Sequence, residues 1–356
     1  MSGLGTRSIM GCRLEATWGA SIAPTNRLLM MSEGIEFNYD HVLHEYLHGS
    51  AGMLGMQKVF NQPGGTLELE MAYDRLDTTF VGSDLPLALA MGVATYVGGS
   101  GSNQYTFQDA LAQFATFAWN KQDTSDPWEL MGGMINSMTI SGAAGESLKM
   151  SLDIMGHKLT IGSGATTTVA NLDALNADLP PLILFNHLVF RVGNQANILA
   201  AGDSADISSF SITVNNNLSD SQQTTTDNSA NFDINQPIQP VRNGKREVTL
   251  EITMPRYSAE TLFDFATAET ALQATLEATD PDSPNSEWDV IFPNMKIETP
   301  SANVGGPEAI EQTFTFRCFK QNAGQTYKPL FTDTSTEADS EVNFETDNER
   351  TVSPLV

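Results

Sequence analysis

One stretch of the chain spells out a catalytic spacing: His44-Glu45-Tyr46-Leu47-His48, an H-E-x-x-H pattern. On a helix, histidines four apart share a face and can hold one Zn²⁺, with the glutamate as general base. The flanks oppose that geometry. Gly49 and Gly52 follow at once, no further histidine stands at a metzincin distance, and the carboxylates on offer as a third ligand, Glu68 and Glu70, alternate along a strand-like run. Upstream, Ile35, Phe37 and Tyr39 alternate with polar residues right up to the motif, which puts the histidines at a strand end and makes surface or subunit contact their expected role. Other chemistries are weaker still. Gly98-Gly-Ser-Gly101 lacks the lysine of a phosphate loop, no Gly-x-Ser-x-Gly elbow occurs, and Asp280-Pro-Asp282 lacks the ligand series of a calcium loop. The residues predict no enzyme, no metal and no cofactor.

The elements around these residues have the composition of a globular protein, 40% hydrophobic with 18 Phe, in a chain of 356 residues that fits two domains better than one. Forty-three acidic against 18 basic residues give a formal charge of −25, so the surface repels nucleic acid and anionic membranes. Basic residues are absent from 76–120 and 192–241. Two cysteines, Cys12 and Cys318, make no disulfide framework and read as small core residues of a reducing compartment. No run approaches the ~20 apolar residues that span a bilayer, and the start of the chain has no signal-peptide pattern, which predicts a soluble, unsecreted protein.

The chain reads as a duplicated β domain. Gly34–Leu43 and Ser209–Leu218 both alternate apolar and polar residues, and aligning them sets Ile35 on Phe210, Phe37 on Ile212 and Tyr39 on Val214. Downstream, Thr66–Met71 (Thr-Leu-Glu-Leu-Glu-Met) matches Thr249–Met254 (Thr-Leu-Glu-Ile-Thr-Met). A helix follows each: one with Ser83 or Asp84 as cap, Pro86 early and Leu87, Leu89, Ala90 and Met91 behind it; the other with Ser258 as cap and Leu262, Phe263, Phe265 and Ala266 as its face. Then come Phe114–Phe117 and Gln273–Leu276, a tryptophan in each copy (Trp128, Trp288), and a hairpin, Met138–Ile140 with Lys149–Met155 against Met295–Ile297 with Gln312–Phe319. The expected organisation is an N-terminal arm 1–32, a first β domain 33–156, a connecting segment 157–205, a second β domain 206–320 and an acidic tail 321–356. That tail carries seven acids between Thr332 and Glu349 with no lysine or arginine, and it reads as a solvated end.

In order rather than in any single motif, these residues resemble the tail tube (major tail) proteins of long-tailed bacteriophages in their duplicated form. Glu15-Ala-Thr-Trp-Gly19 with Pro24 looks like that family's opening segment, Phe210–Leu218 its strand ending in an Asn-rich turn, Asn243–Met254 with the following helix its strand–helix unit, and Trp288–Ile297 with Phe314–Phe319 its closing hairpin. The resemblance implies a mainly β fold, a β-sandwich or barrel-forming module with flanking helices in two tandem copies. It implies a structural virion protein of a siphovirus-like tail that self-assembles into stacked rings, here trimers of pseudo-sixfold symmetry. Implied partners are further copies of itself, the tape-measure protein and the tail terminator and tip proteins. DNA passes without specific binding, no membrane is involved, and assembly takes place in the host cytoplasm. Glu36, Asn38, Asp40, Ser211, Thr213 and Asn215 are then candidates to face the lumen. The polar loops 44–62 and 219–243, with His44, His48, Ser219, Asp220 and Thr225, are candidates for contacts between rings. The alternatives are a glycan-binding, adhesin-type β-sandwich of a virion and, behind it, the H-E-x-x-H peptidase.

Overall fold

Over Gly64–Glu70, Ser209–Asn215, Glu247–Met254 and Gln312–Cys318 alternating sequence becomes alternating burial in the computed structural model, which describes residues 8–44, 55–73, 82–97, 102–109, 111–121, 126–175, 180–219, 237–256, 261–302, 310–320, 340–347 and 353–355. In chain order, β1 (Met10–Leu14), β2 (Asn26–Leu28) and β3 (Met30–Glu36) precede a hairpin of β4 (Tyr39–Leu43) and β5 (Met56–Asn61), and β6 (Gly64–Glu70) returns beside β3. Helix α1 (Asp84–Met91) leads to the hairpin β7 (Gly92–Val97) and β8 (Ser102–Phe107), then to β9 (Ala115–Trp119), the long β10 (Trp128–Ala143), β11 (Lys149–Met155) and β12 (Lys158–Ile161). After the short α2 (Val169–Asp173) come β13 (Leu188–Asn194), β14 (Ser209–Asn215), β15 (Glu247–Met254), α3 (Thr261–Thr267), β16 (Leu272–Asp280), the long β17 (Ser283–Ser301), β18 (Gln312–Cys318) and β19 (Asn343–Asp347).

Two layers result, with antiparallel pairing throughout. One is an eight-stranded sheet in the order β3–β6–β11–β10–β14–β15–β18–β17. The other has two parts, β2–β1–β9–β10–β12 and β13–β16–β17–β19–β8–β7. Strands β10 and β17 belong to both layers and change layer at register breaks, Leu130/Gly133 and Ile135/Ser137 in β10, Phe292/Met295 and Ile297/Thr299 in β17. Bulges give a strand the bend that such a corner needs. At the first corner Gly132 has φ +66°, and a Cβ there would meet Trp18 and His157 at 2.8 Å.

The core lies between the layers. Leu67, Leu69, Leu152, Ile140, Ile212, Leu250, Phe314 and Phe316 face inward from the eight-stranded sheet, and Phe117, Trp119, Leu130, Leu276, Trp288 and Phe292 meet them from the other layer, all at 1% exposure or less save Trp288 at 2%. Each such side chain contributes about 1.5–3 kcal/mol by leaving water. Helix α1 is buried on every side, so its sequence Asp-Leu-Pro-Leu-Ala-Leu-Ala-Met is apolar all round instead of striped. Ser83 takes the N-cap position without a side-chain capping bond, and Gly92 ends the helix in the left-handed conformation.

The same pairing order occurs twice: β3–β6–β11–β10 is followed by β14–β15–β18–β17, and β1–β9–β10–β12 has its counterpart in β13–β16–β17–β19. Trp128 faces Trp119 as Trp288 faces Ala278, in keeping with the match of Phe114–Phe117 to Gln273–Leu276. The expected alignment of the first strands needs correcting. Leu67 faces Leu152 and Leu250 faces Phe316, and on that frame Ile35, opposite Gly65, corresponds to Val214, opposite Val248, and not to Phe210. The hairpin alignment shifts too, because Ile140 and Pro300 occupy equivalent places against Met150 and Phe314. A period of two survives any even slide, so alternation alone could not fix the register.

The segment after 321 also differs from the expected solvated tail. Within it β19 is inserted between β17 and β8, with Val342 and Phe344 fully buried. Strands β12 and β13 lie inside the stretch expected to connect two domains.

Candidate assembly surface

Apart from the exposed Met31 at the bulge of β3, the outer face of the eight-stranded sheet is built from small and polar residues. One row crosses every strand: Ser32, Glu68, Ser151, Thr139, Thr213, Thr249, Arg317 and Lys296. A second runs Gly34, Thr66, Asp153, Ser137, Asn215 and Glu247, and a third runs Glu70, Lys149, Ser141, Ser211, Glu251, Thr315 and Thr299. Ser211, Thr213 and Asn215 thus stand on this face, and Glu36 stands exposed at the end of β3. Asn38 and Asp40 do not join them. Asn38 sits beyond the strand with φ 45°, donating its amide to the Gly64 carbonyl at 3.3 Å, and Asp40 lies on the separate β4–β5 hairpin.

Both ends of this sheet are open among the described residues. Strand β3 pairs only with β6, and the last third of β17, from Lys296 to Ser301, pairs only with β18. Bare edges invite other chains, and charges turned toward the core are one natural defence. Glu33 is such a charge: it occupies the place that Ile212 fills in β14, and bonds Lys121 at 2.8 Å. Lys121 in turn lies 4.0 Å over the Trp128 ring.

The β4–β5 hairpin projects from the sheets with Val42, Leu43 and Met56 at 56%, 43% and 64% exposure. His44 follows β4, its N–H bonded to the Gly55 carbonyl, and is not helical. His48, Asp220 and Thr225 lie outside the described residues. Ser219 marks where the second polar loop leaves the sheet, its N–H on the Val241 carbonyl at 2.7 Å. Among the described residues no group of three or more His, Cys, Asp or Glu is arranged to hold a metal, and no helix is long and apolar enough to cross a membrane. Cys12 and Cys318 are buried thiols whose pKa burial pushes up, out of the reactive range.

One buried carboxylate has a structural task. Glu15, 4% exposed, accepts from Thr116 Oγ1 at 2.6 Å, Gly132 N at 2.8 Å and Gly19 N at 3.0 Å, tying the Trp18–Gly19 turn to the bend of β10. Burial raises its pKa, against the lowering effect of these bonds. Sequence reading missed two further features: the open edge of β17 and a basic cleft around Arg242, Lys245 and Arg246. The first leaves no local signal. The second had one, since these three cations end a run of fifty residues without any.

A two-layer β protein with a largely polar outer sheet face, two edges open among the described residues and a projecting apolar hairpin is equipped to assemble. The family model described as phage tail tube protein matches residues 5–318, and the chain belongs to that family. It is a structural component of the virion tail, and membership of such a family implies a protein without a catalytic task. No curated protein matches the chain.

Proposed function

We propose that three copies of this chain close into a ring by joining the open edge of β17 in one to the open edge of β3 in the next, and that rings stack into the tail tube. The observation that carries this is the joint between β10 and β14 inside the chain, where Thr139 faces Thr213 and Ser141 faces Ser211. The two free edges are the unmatched halves of a second joint of the same kind. On the pairing frame above, Thr299 takes the place of Thr139 and Gly34 that of Thr213, so Thr299 faces Gly34 of the next copy, and Ser301 faces Ser32. Two joints per copy give pseudo-sixfold symmetry from three copies, in line with a duplicated module. Closure removes every bare edge of the sheet.

In such a ring the polar face lines the lumen. Glu36, Glu68, Glu70, Asp153, Glu247, Glu251 and Glu298 outnumber Lys149, Lys296 and Arg317 on or beside it, so DNA phosphates slide past without a binding site. The tape-measure protein fills the lumen before DNA, terminator and tip proteins close the ends, and assembly occurs in the host cytoplasm. The β4–β5 hairpin and the loop leaving at Ser219 make contacts between rings.

Electron microscopy of the purified chain should show threefold rings and hollow tubes. With Gly34→Cys and Thr299→Cys together, oxidation should give covalent dimers and trimers on a non-reducing gel and no longer ladder. Monomers that persist at high concentration, or open-ended ladders, overturn the reading.

A further inference from the structure

Among the described residues, six cations of this acidic chain gather in a cleft of about 980 Å³ at one end of the eight-stranded sheet, lined by Arg242, Lys245, Arg246, Lys296, Arg317 and Lys320. Four carboxylates share the lining: Asp109, Glu247, Glu269 and Glu341. Arg246 is nine-tenths buried there. Its Nη2 bonds Glu341 at 2.5 Å and its guanidinium lies 3.5 Å over the Phe107 ring, while Nε and Nη1 find no partner among the described residues. Burial, and then the Arg246 charge, press the Arg242 pKa below its ordinary value, against the raising effect of Asp109 and Glu341. Lys245 and Lys320 stand exposed at the rim.

The corresponding cleft of the first half, about 550 Å³, has no lysine or arginine. On the pairing frame Asp153 stands where Arg317 does, Gln62 where Lys245 does and Pro63 where Arg246 does. A sheet of repeated design thus carries cations at one of two equivalent places.

We propose that the basic cleft is a socket for the opposite end of the same sheet in a second copy, taking the exposed carboxylates Asp206 and Glu311. Asp206 precedes β14 and Glu311 precedes β18, and both strands run from that far end toward the cleft. Neither makes an ion pair among the described residues, whereas Glu146, at the same end, is held by Lys149 at 2.7 Å. Charge complementarity favours a copy of this chain over other partners, since the rest of its surface is acidic. The contact joins unlike surfaces, so it propagates as a stack instead of closing on itself. The inference rests on the reading of the chain as a tube subunit, and it deepens that reading. With one basic socket per copy, stacked rings register in three orientations and not in six.

The test uses the full chain, with assembly followed by sedimentation and electron microscopy. Lys245→Glu with Lys320→Glu should raise the concentration needed for tubes at least about tenfold while rings and circular dichroism stay unchanged. Asp206→Lys with Glu311→Lys should do the same, and the four changes together should restore tubes. Wild-type tubes should also dissociate into rings as salt is raised. Variants that form tubes like the wild type, or a fourfold variant that stays as rings, overturn the socket. A double-stranded DNA oligonucleotide that binds the wild type and not the lysine variants, with stacking untouched, assigns the cleft to polyanions and also overturns it. A wild type that forms neither rings nor tubes sinks the tube reading itself, a different result from either.

Discussion

The two halves of the chain place the same strands in the same order and then treat their outermost strand in opposite ways. In the second half β14 is sealed between β10 and β15, and the position opposite Leu250 is Ile212, fully buried. In the first half β3 lies at the border, and the position opposite Leu67 is Glu33, tied to Lys121. The difference teaches what an edge requires. A strand with neighbours on both sides can be apolar on its inner face, whereas one awaiting a neighbour must stay soluble until it arrives. Glu33 provides that by turning a charge inward at the place where its counterpart, Ile212, supplies a branched hydrocarbon side chain.

Substitution at these paired sites gives the largest contrast expected. Ile212→Asp leaves a carboxylate without a partner inside the core and should cost more than about 4 kcal/mol, enough to abolish cooperative thermal unfolding. Glu33→Gln loses one half-exposed ion pair and should cost less than about 1 kcal/mol. Denaturant titration of both variants checks the pair. Similar losses at both sites would mean that β3 is not a free border.

A smaller contrast separates the corners where the long strands change layer. In the first half the bend is gripped by a carboxylate, Glu15 on Gly132 N. In the second it is gripped by an amide, Gln195 Nε2 donating to the Pro293 carbonyl at 2.7 Å. Only the first can titrate. Burial lifts the Glu15 pKa above its unfolded value, so between those two values the native state binds the proton more tightly, and stability falls as pH rises through that window. Glu15→Gln keeps the acceptor for Thr116 and Gly132 but offers an N–H to Gly19, a cost of about 1–3 kcal/mol. The expected outcome is a lower melting temperature in acid and a flatter profile through the carboxylate range. An unchanged pH profile would show that Glu15 carries no proton-linked penalty. Gln195→Glu provides the converse, since a second acceptor would face the Pro293 carbonyl and a new pH dependence should appear.

How much of this was legible in the sequence follows from what each signal depends on. Strands with one wet and one dry face announce themselves locally, and β6, β14, β15 and β18 fell where alternation put them. So did α1, whose Pro86 and terminal Gly92 punctuate it. The order of elements, read whole, was enough to suggest the family. Register was not legible, because Ile35, Phe210 and Val214 are interchangeable to a pattern of period two. Strand β19 was hidden by charge: Glu345 and Asp347 lie within it and Glu341 just before it, while the buried Phe344 and the neighbouring Val342 that fix its place are only two residues. The cleft and the open edge of β17 depend on which strands meet, and no single segment records that.

The left-handed asparagines give the finest check on the comparison of the two halves. Asn38 has φ 45° and Asn217 has φ 49°, two residues beyond Glu36 and Asn215, which the strand pairing sets as equivalent. Each carboxamide donates to the returning strand, Asn38 to the Gly64 carbonyl and Asn217 to that of Lys245. Asparagine is tolerated at positive φ, where a Cβ-bearing residue without its polar reach costs about 1–2 kcal/mol. Asn38→Ala and Asn217→Ala should each lower stability by about that amount, while the glycine variants lose only the side-chain bond. If the register drawn from the strand pairs is right, the two positions respond alike. If Asn38 were instead the counterpart of Thr213, as alternation alone had aligned them, Thr213→Gly should resemble Asn38→Gly. Because Thr213 lies mid-strand between Thr139 and Thr249, its glycine variant is expected to cost more than its alanine variant, the reverse of the order at both asparagines.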